Sequence, residues 1–289
     1  MICRLCPRRC GAERTAETGG GFCAMPAGIR VARAALHHWE EPPISGTNGS
    51  GAVFFSGCTL RCCYCQNHDI SAGGFGRDVT PQRLRAIFEE LIAQGAHNID
   101  LITATHFLPW LLPALTPKLP VPLVYNCGGY ESVETLRQLE GLVDIWLPDL
   151  KYADGPLAAQ LSAAPDYFPA AAAAIREMFR QTGPYVMEDG LLRRGVIIRH
   201  LVLPGSPDNT RRVIDWVAET FRPGDVLFSL MSQYTPQPNA QGRLARHVTR
   251  AEYRAAVDYM HNCGITDGFT QERTAAGEEY TPPFDLTGV

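Results

Sequence analysis

A chain of 289 residues, 45% of them hydrophobic, can bury a sizeable core as one large domain or two ordinary ones. Its formal charge of −4, with acids and bases interspersed, predicts no nucleic-acid or anionic-membrane surface. No apolar run approaches the roughly 18 residues of a membrane span, and the first ten residues carry charge without the apolar stretch of a signal peptide.

In chain order, the first fifty residues differ in character from the rest. Cys3, Cys6, Cys10 and Cys23, a Gly-rich patch at 19–21 and Pro42-Pro43 predict a metal-binding extension and lead-in over 1–50, ahead of a domain over 51–289. Apolar, β-rich runs then recur at 52–55, 99–103, 123–125, 142–147, 196–203 and 226–231. Segments of helical period lie between them. The clearest has Leu84, Ile87, Phe88, Leu91 and Ile92 on one face, with Thr80 as N-cap, Pro81 in the first turn and Gly95 as the stop. Weaker stripes fall at Val133/Leu136/Leu139, Val213/Trp216/Val217 and Tyr253/Val257/Met260, and 166–183 also reads as a helix. Strand alternating with helix means βαβ units and a parallel sheet. In barrels of such units, chemistry gathers where strands end and βα loops begin.

Ten cysteines without an export signal point to metal ligation in a reducing cytoplasm rather than to disulfides. Seven of them form two tight groups. Cys58, Cys62 and Cys65, directly after the run 52–55, make C-x3-C-x2-C. A [4Fe–4S] cluster normally takes four Cys, so three leave one iron open to a ligand that is not protein. A structural zinc site wants four ligands, and the nearest spare thiol, Cys63, is adjacent to Cys62 and points away from it. The second group, C-x2-C-x3-C-x12-C at Cys3, Cys6, Cys10 and Cys23, offers four thiolates, which zinc and an auxiliary iron–sulfur cluster accept equally. Cys63, Cys127 and Cys263 are scattered, and Cys263 reads as a small buried hydrophobe.

With an aromatic before its third Cys, the C-x3-C-x2-C motif resembles that of the radical S-adenosylmethionine (SAM) enzymes. Three stretches narrow the resemblance: Cys-Arg-Leu-Cys-Pro-Arg-Arg-Cys-Gly at 3–11, Phe-Ser-Gly-Cys-Thr-Leu-Arg-Cys-Cys-Tyr-Cys-Gln-Asn at 55–67, and Glu-Glu-Tyr-Thr-Pro-Pro-Phe-Asp at 278–285. They resemble proteins related to pyruvate formate-lyase activating enzyme, in the subgroup with a Cys-rich N-terminus. The resemblance implies an α/β fold, a partial (β/α)6 barrel of the radical SAM type behind a small N-terminal Cys-rich metal-binding extension. It implies a [4Fe–4S] cluster with one open iron on Cys58, Cys62 and Cys65, and SAM chelating that iron. Reductive cleavage of SAM would give a 5′-deoxyadenosyl radical that abstracts a hydrogen atom. The implied role is an activase that leaves a glycyl radical on a partner enzyme, fed by an external electron donor such as flavodoxin or ferredoxin. The alternative is direct modification of a peptide or small molecule, with the N-terminal group holding an auxiliary cluster.

The same resemblance implies a set of SAM contacts. Tyr64 matches the aromatic at the adenine, and Asn67 closes the motif. Thr103-Ala-Thr-His106 stands where the family often has a Gly-Gly-Glu-like stretch for the SAM ammonium, a departure that leaves Thr103 and Thr105 as acceptors. Asn126 begins a loop like the family's Asn-Gly loop, and Asp149-Leu-Lys151 matches its Asp-x-Lys. Arg199 is assigned the SAM carboxylate, since a guanidinium grips a carboxylate bidentately and an Arg in an apolar strand requires a partner. His106 reads as a structural histidine. Loops 66–79 and 234–247 are expected to shape access.

Overall fold

The computed structural model describes residues 2–271 and 282–289. Its strands, in chain order, are β1 (Ile29–His37), β2 (Ser50–Phe55), β3 (Arg77–Val79), β4 (Ile99–Ile102), β5 (Leu123–Cys127), β6 (Ile145–Pro148), β7 (Val186–Glu188), β8 (Leu191–Leu201), β9 (Leu227–Met231) and β10 (Gly268–Thr270). Each of the six apolar runs forms one of them. They lie in the sheet order β10-β9-β8-β6-β5-β4-β2-β1-β3, with β7 paired to β8. From β2 to β10 along that path every pairing is parallel, whereas β1 runs antiparallel to β2 and β3 to β1. The path has two ends, so the sheet is an open α/β arrangement, a partial barrel. Short β10 adds a parallel strand beyond the expected six. β1 lies within the first fifty residues and pairs along the whole of β2.

The helices follow their sequence signals. Pro81–Ala93 buries Leu84, Ile87, Phe88 and Leu91, and the Thr80 hydroxyl accepts the Arg83 N–H at 3.1 Å. Such a cap stabilises a helix by about 1 kcal/mol. Helices Tyr167–Thr182, Pro207–Thr220 and Arg250–Asn262 occupy the other expected segments. The stripe at 133–139 becomes one short turn of α-helix, Val133–Leu136, and a 3-10 turn, Arg137–Leu139. Among the described residues no helix is long and apolar enough to cross a membrane. Of the motif at 278–285, residues 278–281 lie outside the described residues, while Phe284 packs on Phe54 with ring centroids 5.6 Å apart.

Strand periodicity positions the site. Val124, Ile145, Leu147, Ile197 and Leu227 form a buried apolar layer with Ile44 of the short helix Pro42–Ser45. Because side chains alternate along a strand, the same face carries Asn126, Asp149, Arg199 and Ser229 two residues later. The apolar layer thus forms the base on which a polar layer sits at the carboxyl ends of the parallel strands.

Candidate functional site

A cavity of about 630 Å³ opens at those strand ends. It brings together Cys58, Cys62, Cys65, Tyr64, Asn67, Thr103, Asn126, Asp149, Lys151 and Arg199. Parts of both expected access loops line it, through Gln66, Asn67, Ile70 and Ser71 and through Tyr234 and Thr235. Thr105 does not face it. That residue starts a 3-10 turn, is fully buried, and bonds the Tyr125 hydroxyl at 2.8 Å, which places it on the helix-facing side of the sheet. His106 bonds the Ser56 carbonyl at 2.7 Å, a structural histidine.

The cysteine loop follows β2 through Gly57, whose φ is +79°. A Cβ at Gly57 would stand 2.3 Å from Met25 Cγ and 3.1 Å from the Cys23 carbonyl, so only glycine lets the N-terminal segment close on the loop. Each thiol of the motif has at least one polar donor. Cys58 Sγ accepts the Leu60 N–H at 3.3 Å, Cys62 Sγ the Ser162 hydroxyl at 2.9 Å, and Cys65 Sγ the Ser71 hydroxyl at 3.3 Å. Burial pushes the Cys58 thiol up to about 12, and Cys62 and Cys65 add to the shift, which puts the three in one electrostatic neighbourhood. Burial raises Cys65 as well. Among the described residues no three His, Cys, Asp or Glu side chains converge on a single metal ion. A [4Fe–4S] cluster does not require this, since each thiolate takes a different iron. One buried thiol, Cys62, and two half-buried ones, Cys58 and Cys65, each with a donor and all opening on one cavity, fit such a cluster.

Opposite charges fill the polar layer. Arg199 Nε donates to Asp149 Oδ1 at 2.9 Å, Nη1 to Glu40 Oε2 at 3.2 Å and Nη2 to Asn126 Oδ1 at 2.6 Å. Glu41 Oε2 lies 3.8 Å from the same Nη1. Lys151 Nζ bonds the other oxygen of Asp149, and Asn126 Nδ2 reaches Asp100 Oδ2 at 3.4 Å. Burial raises the Glu40 carboxyl, pushes Glu41 up to about 7, and holds Asp100 well above its usual range with Glu40 adding to it. Asp149 goes the other way: burial would raise it, but Arg199 and Lys151 together hold it below the usual value. The guanidinium expected to meet SAM therefore already has all three of its nitrogens bonded within the protein.

The N-terminal cysteines lie outside this cavity. Cys3 and Cys6 are buried, Cys23 is half-buried and Cys10 is exposed. Burial pushes the Cys6 thiol up to about 12 in spite of the Arg8 N–H, with Cys3 and Cys23 among the groups that add to it. A Cβ at Gly21 would stand 3.1 Å from Cys10 Sγ. The segment docks on the cysteine loop. Arg8 donates to the carbonyls of Thr59, Ser162 and Ala163 at 2.5, 2.7 and 2.8 Å, and Arg61 donates back to Phe22 O at 3.2 Å. Cys63 is exposed and Cys127 is buried.

Several residues of the site were not expected. Glu40 and Glu41 come from the lead-in, Asp100 from the middle of β4, and Tyr152 and Ser162 from the stretch after β6. Asp100 had a signal, since it interrupts the apolar run Ile99-Asp100-Leu101-Ile102 as Arg199 interrupts its own.

A family model described as a 4Fe-4S single cluster domain matches residues 45–104, which contain the Cys58/Cys62/Cys65 motif. An uncharacterized protein of Methanocaldococcus jannaschii, MJ0674, is 26% identical over 268 residues, covering 89% of this chain and 73% of the relative. Among solved structures, Streptococcus suis SuiB bound to S-adenosylmethionine superposes with a TM-score of 0.52 at 14% identity, over 77% of this chain and 50% of that one. The FeFe-hydrogenase maturase HydG from Carboxydothermus hydrogenoformans gives 0.50 at 10% identity, over 80% of this chain and 56% of that one. The chain spans about half the length of these two solved structures. This chain shares its fold with these solved structures, and its cysteine motif lies within the residues matched by the 4Fe-4S single cluster domain.

Proposed function

We propose that this protein binds a [4Fe–4S] cluster on Cys58, Cys62 and Cys65, cleaves SAM reductively, and uses the resulting radical to place a glycyl radical on a partner enzyme. One observation carries the reading: three thiols and a set of polar side chains suited to a zwitterionic ligand open on one cavity at the strand ends. The bound cluster supplies the electron that breaks a carbon–sulfur bond of SAM. Cys58, Cys62 and Cys65 would hold the cluster, and the polar side chains of the same cavity would hold and orient the ligand. The Tyr64 ring lines the cavity and offers a face to the adenine. Thr103 Oγ1, which donates to the Asn126 carbonyl at 3.2 Å, keeps lone pairs for an ammonium. Lys151 raises its hold on its proton because the attraction of Asp149 outweighs burial, and the field of Cys62 reaches it too. Lys151 thus places a positive charge on the cluster side of the network, where the ligand carboxylate needs one. Arg199 serves one step behind by fixing Asp149 and Asn126.

An external donor such as flavodoxin or ferredoxin would feed the cluster. The test is anaerobic reconstitution, addition of SAM and dithionite, and quantitation of 5′-deoxyadenosine. A second arm adds candidate glycyl radical enzymes encoded near the gene and looks for the glycyl doublet by EPR. No deoxyadenosine overturns the cleavage reading. Deoxyadenosine without any glycyl radical overturns the activase reading and leaves direct modification of a peptide or small molecule.

A further inference from the structure

The three motif thiols are not equivalently bonded. Cys58 takes backbone donors, the Leu60 N–H at 3.3 Å and that of Arg61, and Cys65 takes the Ser71 hydroxyl at 3.3 Å beside the Asn67 N–H, whereas Cys62 terminates a chain of hydroxyls. Tyr64 Oη lies 2.7 Å from Tyr152 Oη, Tyr152 Oη lies 2.7 Å from Ser162 Oγ, and Ser162 Oγ lies 2.9 Å from Cys62 Sγ. All three hydroxyl residues are shielded from water, with Tyr152 at 0%, Ser162 at 2% and Tyr64 at 7% exposure. Resting on the cluster assignment above, we infer that Ser162, aligned by Tyr152 and Tyr64, is a positioning residue that raises the reduction potential of the cluster through Cys62.

The direction of the chain follows from its end. A thiolate bound to iron has no proton, so Ser162 must donate to Cys62. The Ser162 oxygen is then free to accept from Tyr152, and Tyr152 to accept from Tyr64. Bonds aligned in one sense polarise one another, and a bond to an ionised acceptor is roughly twice as strong as a neutral one. Reduction adds negative charge to the cluster and its thiolates. A fixed donor favours the reduced form more than the oxidised one and so moves the potential upward.

The backbone around Ser162 is built to hold that geometry. Ser162 ends the helix Gly155–Ser162, and Ala163 stops it in the left-handed conformation at φ +49°. The Cys63 N–H donates to the Leu161 carbonyl at 2.9 Å. Arg8 spans from the Thr59 carbonyl, in the cysteine loop, to the Ser162 and Ala163 carbonyls. The N-terminal segment therefore clamps the helix end to the loop, whatever metal it holds. At the other end of the relay Tyr64 lines the cavity.

The experiment is a potentiometric titration of the reconstituted full-length protein, followed by the EPR signal of the reduced cluster, with iron and sulfide counted in every sample. Ser162→Ala at full cluster content should shift the potential downward. Tyr152→Phe, which leaves Ser162 in place but removes its donor, should give a smaller downward shift, and Tyr64→Phe a smaller one again. An unchanged potential in Ser162→Ala with full iron content overturns the inference. If Ser162→Ala fails to load, Tyr152→Phe decides in its place, and an unchanged potential there overturns it equally. Wild-type protein that binds no iron overturns the cluster assignment and this inference together, an outcome separate from loaded protein whose potential ignores Ser162.

Discussion

Asp149 and Arg199 tie two neighbouring strands at the point where both reach the cavity. The carboxylate lies 2.9 Å from the guanidinium, and the Leu150 N–H donates to the Arg199 carbonyl at 2.7 Å. Asp149 thereby takes Arg199 on one oxygen and Lys151 on the other. A cation placed this way serves the protein before any ligand.

Replacing Arg199 should therefore register in stability. Arg199→Ala would leave Glu40 and Glu41 buried with no cation beside them, and Asp149 with Lys151 alone. Breaking a buried pair in this way costs about 3–5 kcal/mol. Urea unfolding at pH 7 should show that loss. It should narrow toward pH 5, because burial has already raised Glu40 and Glu41 and they take up protons sooner. Equal stability of variant and wild type at pH 7 would mean that the guanidinium is free for a ligand.

Glu131 gives a pH prediction away from the cavity. It is 2% exposed, and neither carboxyl oxygen has a hydrogen-bond partner of good geometry. Burial pushes it up to about 8, and Thr105 and Cys127 pull it back only in part. The folded protein thus keeps a proton that the unfolded chain releases near pH 4.5. Stability must fall as pH rises between those two values, by up to about 5 kcal/mol, and level off above the upper one. Glu131→Gln removes that slope, so its advantage over wild type in urea should be larger at pH 8.5 than at pH 5. A pH-independent difference would mean that the folded protein holds the ionised form.

What was legible in the sequence follows from which interactions are local. Six of the parallel strands show because each is an apolar run and mostly buried, whereas short β10, exposed at Gly268 and Thr270, has no such run, and Pro81–Ala93 shows because its cap and stripe are local too. β1 was hidden by a register irregularity between Val31 and Arg33, which breaks the two-residue alternation. Arg199 stood out as a charge in an apolar strand, and the same rule applied to Asp100 leads to its neighbour in the network. Glu40 and Glu41 reach the cavity only because Ile44, just after them, packs into the apolar layer beneath it. The bond between Ser162 and Cys62 joins residues a hundred positions apart with no shared pattern. Contacts of that kind have no periodic trace.

Among the clustered cysteines the expected responses differ sharply. Cys58→Ala, Cys62→Ala and Cys65→Ala each leave two thiolates, too few to hold the cluster, so the iron and sulfide of that site and SAM cleavage should be lost. Cys63→Ala should keep them. Its side chain is exposed, and its tie to the fold is a backbone N–H to the Leu161 carbonyl, which alanine retains. Full SAM cleavage by Cys58→Ala would remove this triad from the chemistry.

The remaining prediction concerns Cys3, Cys6, Cys10 and Cys23. Four thiols drawn from two short loops, two of them buried, are a poor use of reactive side chains unless a metal claims them. Burial of Cys6 disfavours its free thiolate, so a metal that binds there must displace protons, and its affinity should weaken in acid. The Cys58/Cys62/Cys65 triple-Ala variant isolates the question, because any metal it retains belongs to the N-terminal group. We expect iron and sulfide in parallel amounts, since a cell that loads one cluster on this chain supplies the other site as well. With Cys23 O and Gly57 this close, a second cluster would sit against the first cysteine loop and could pass electrons to it. One zinc per chain instead would make the module a structural clamp that holds Arg8 against Thr59 and the Ser162 helix end. A triple variant that binds neither iron nor zinc means that these cysteines are not a metal site.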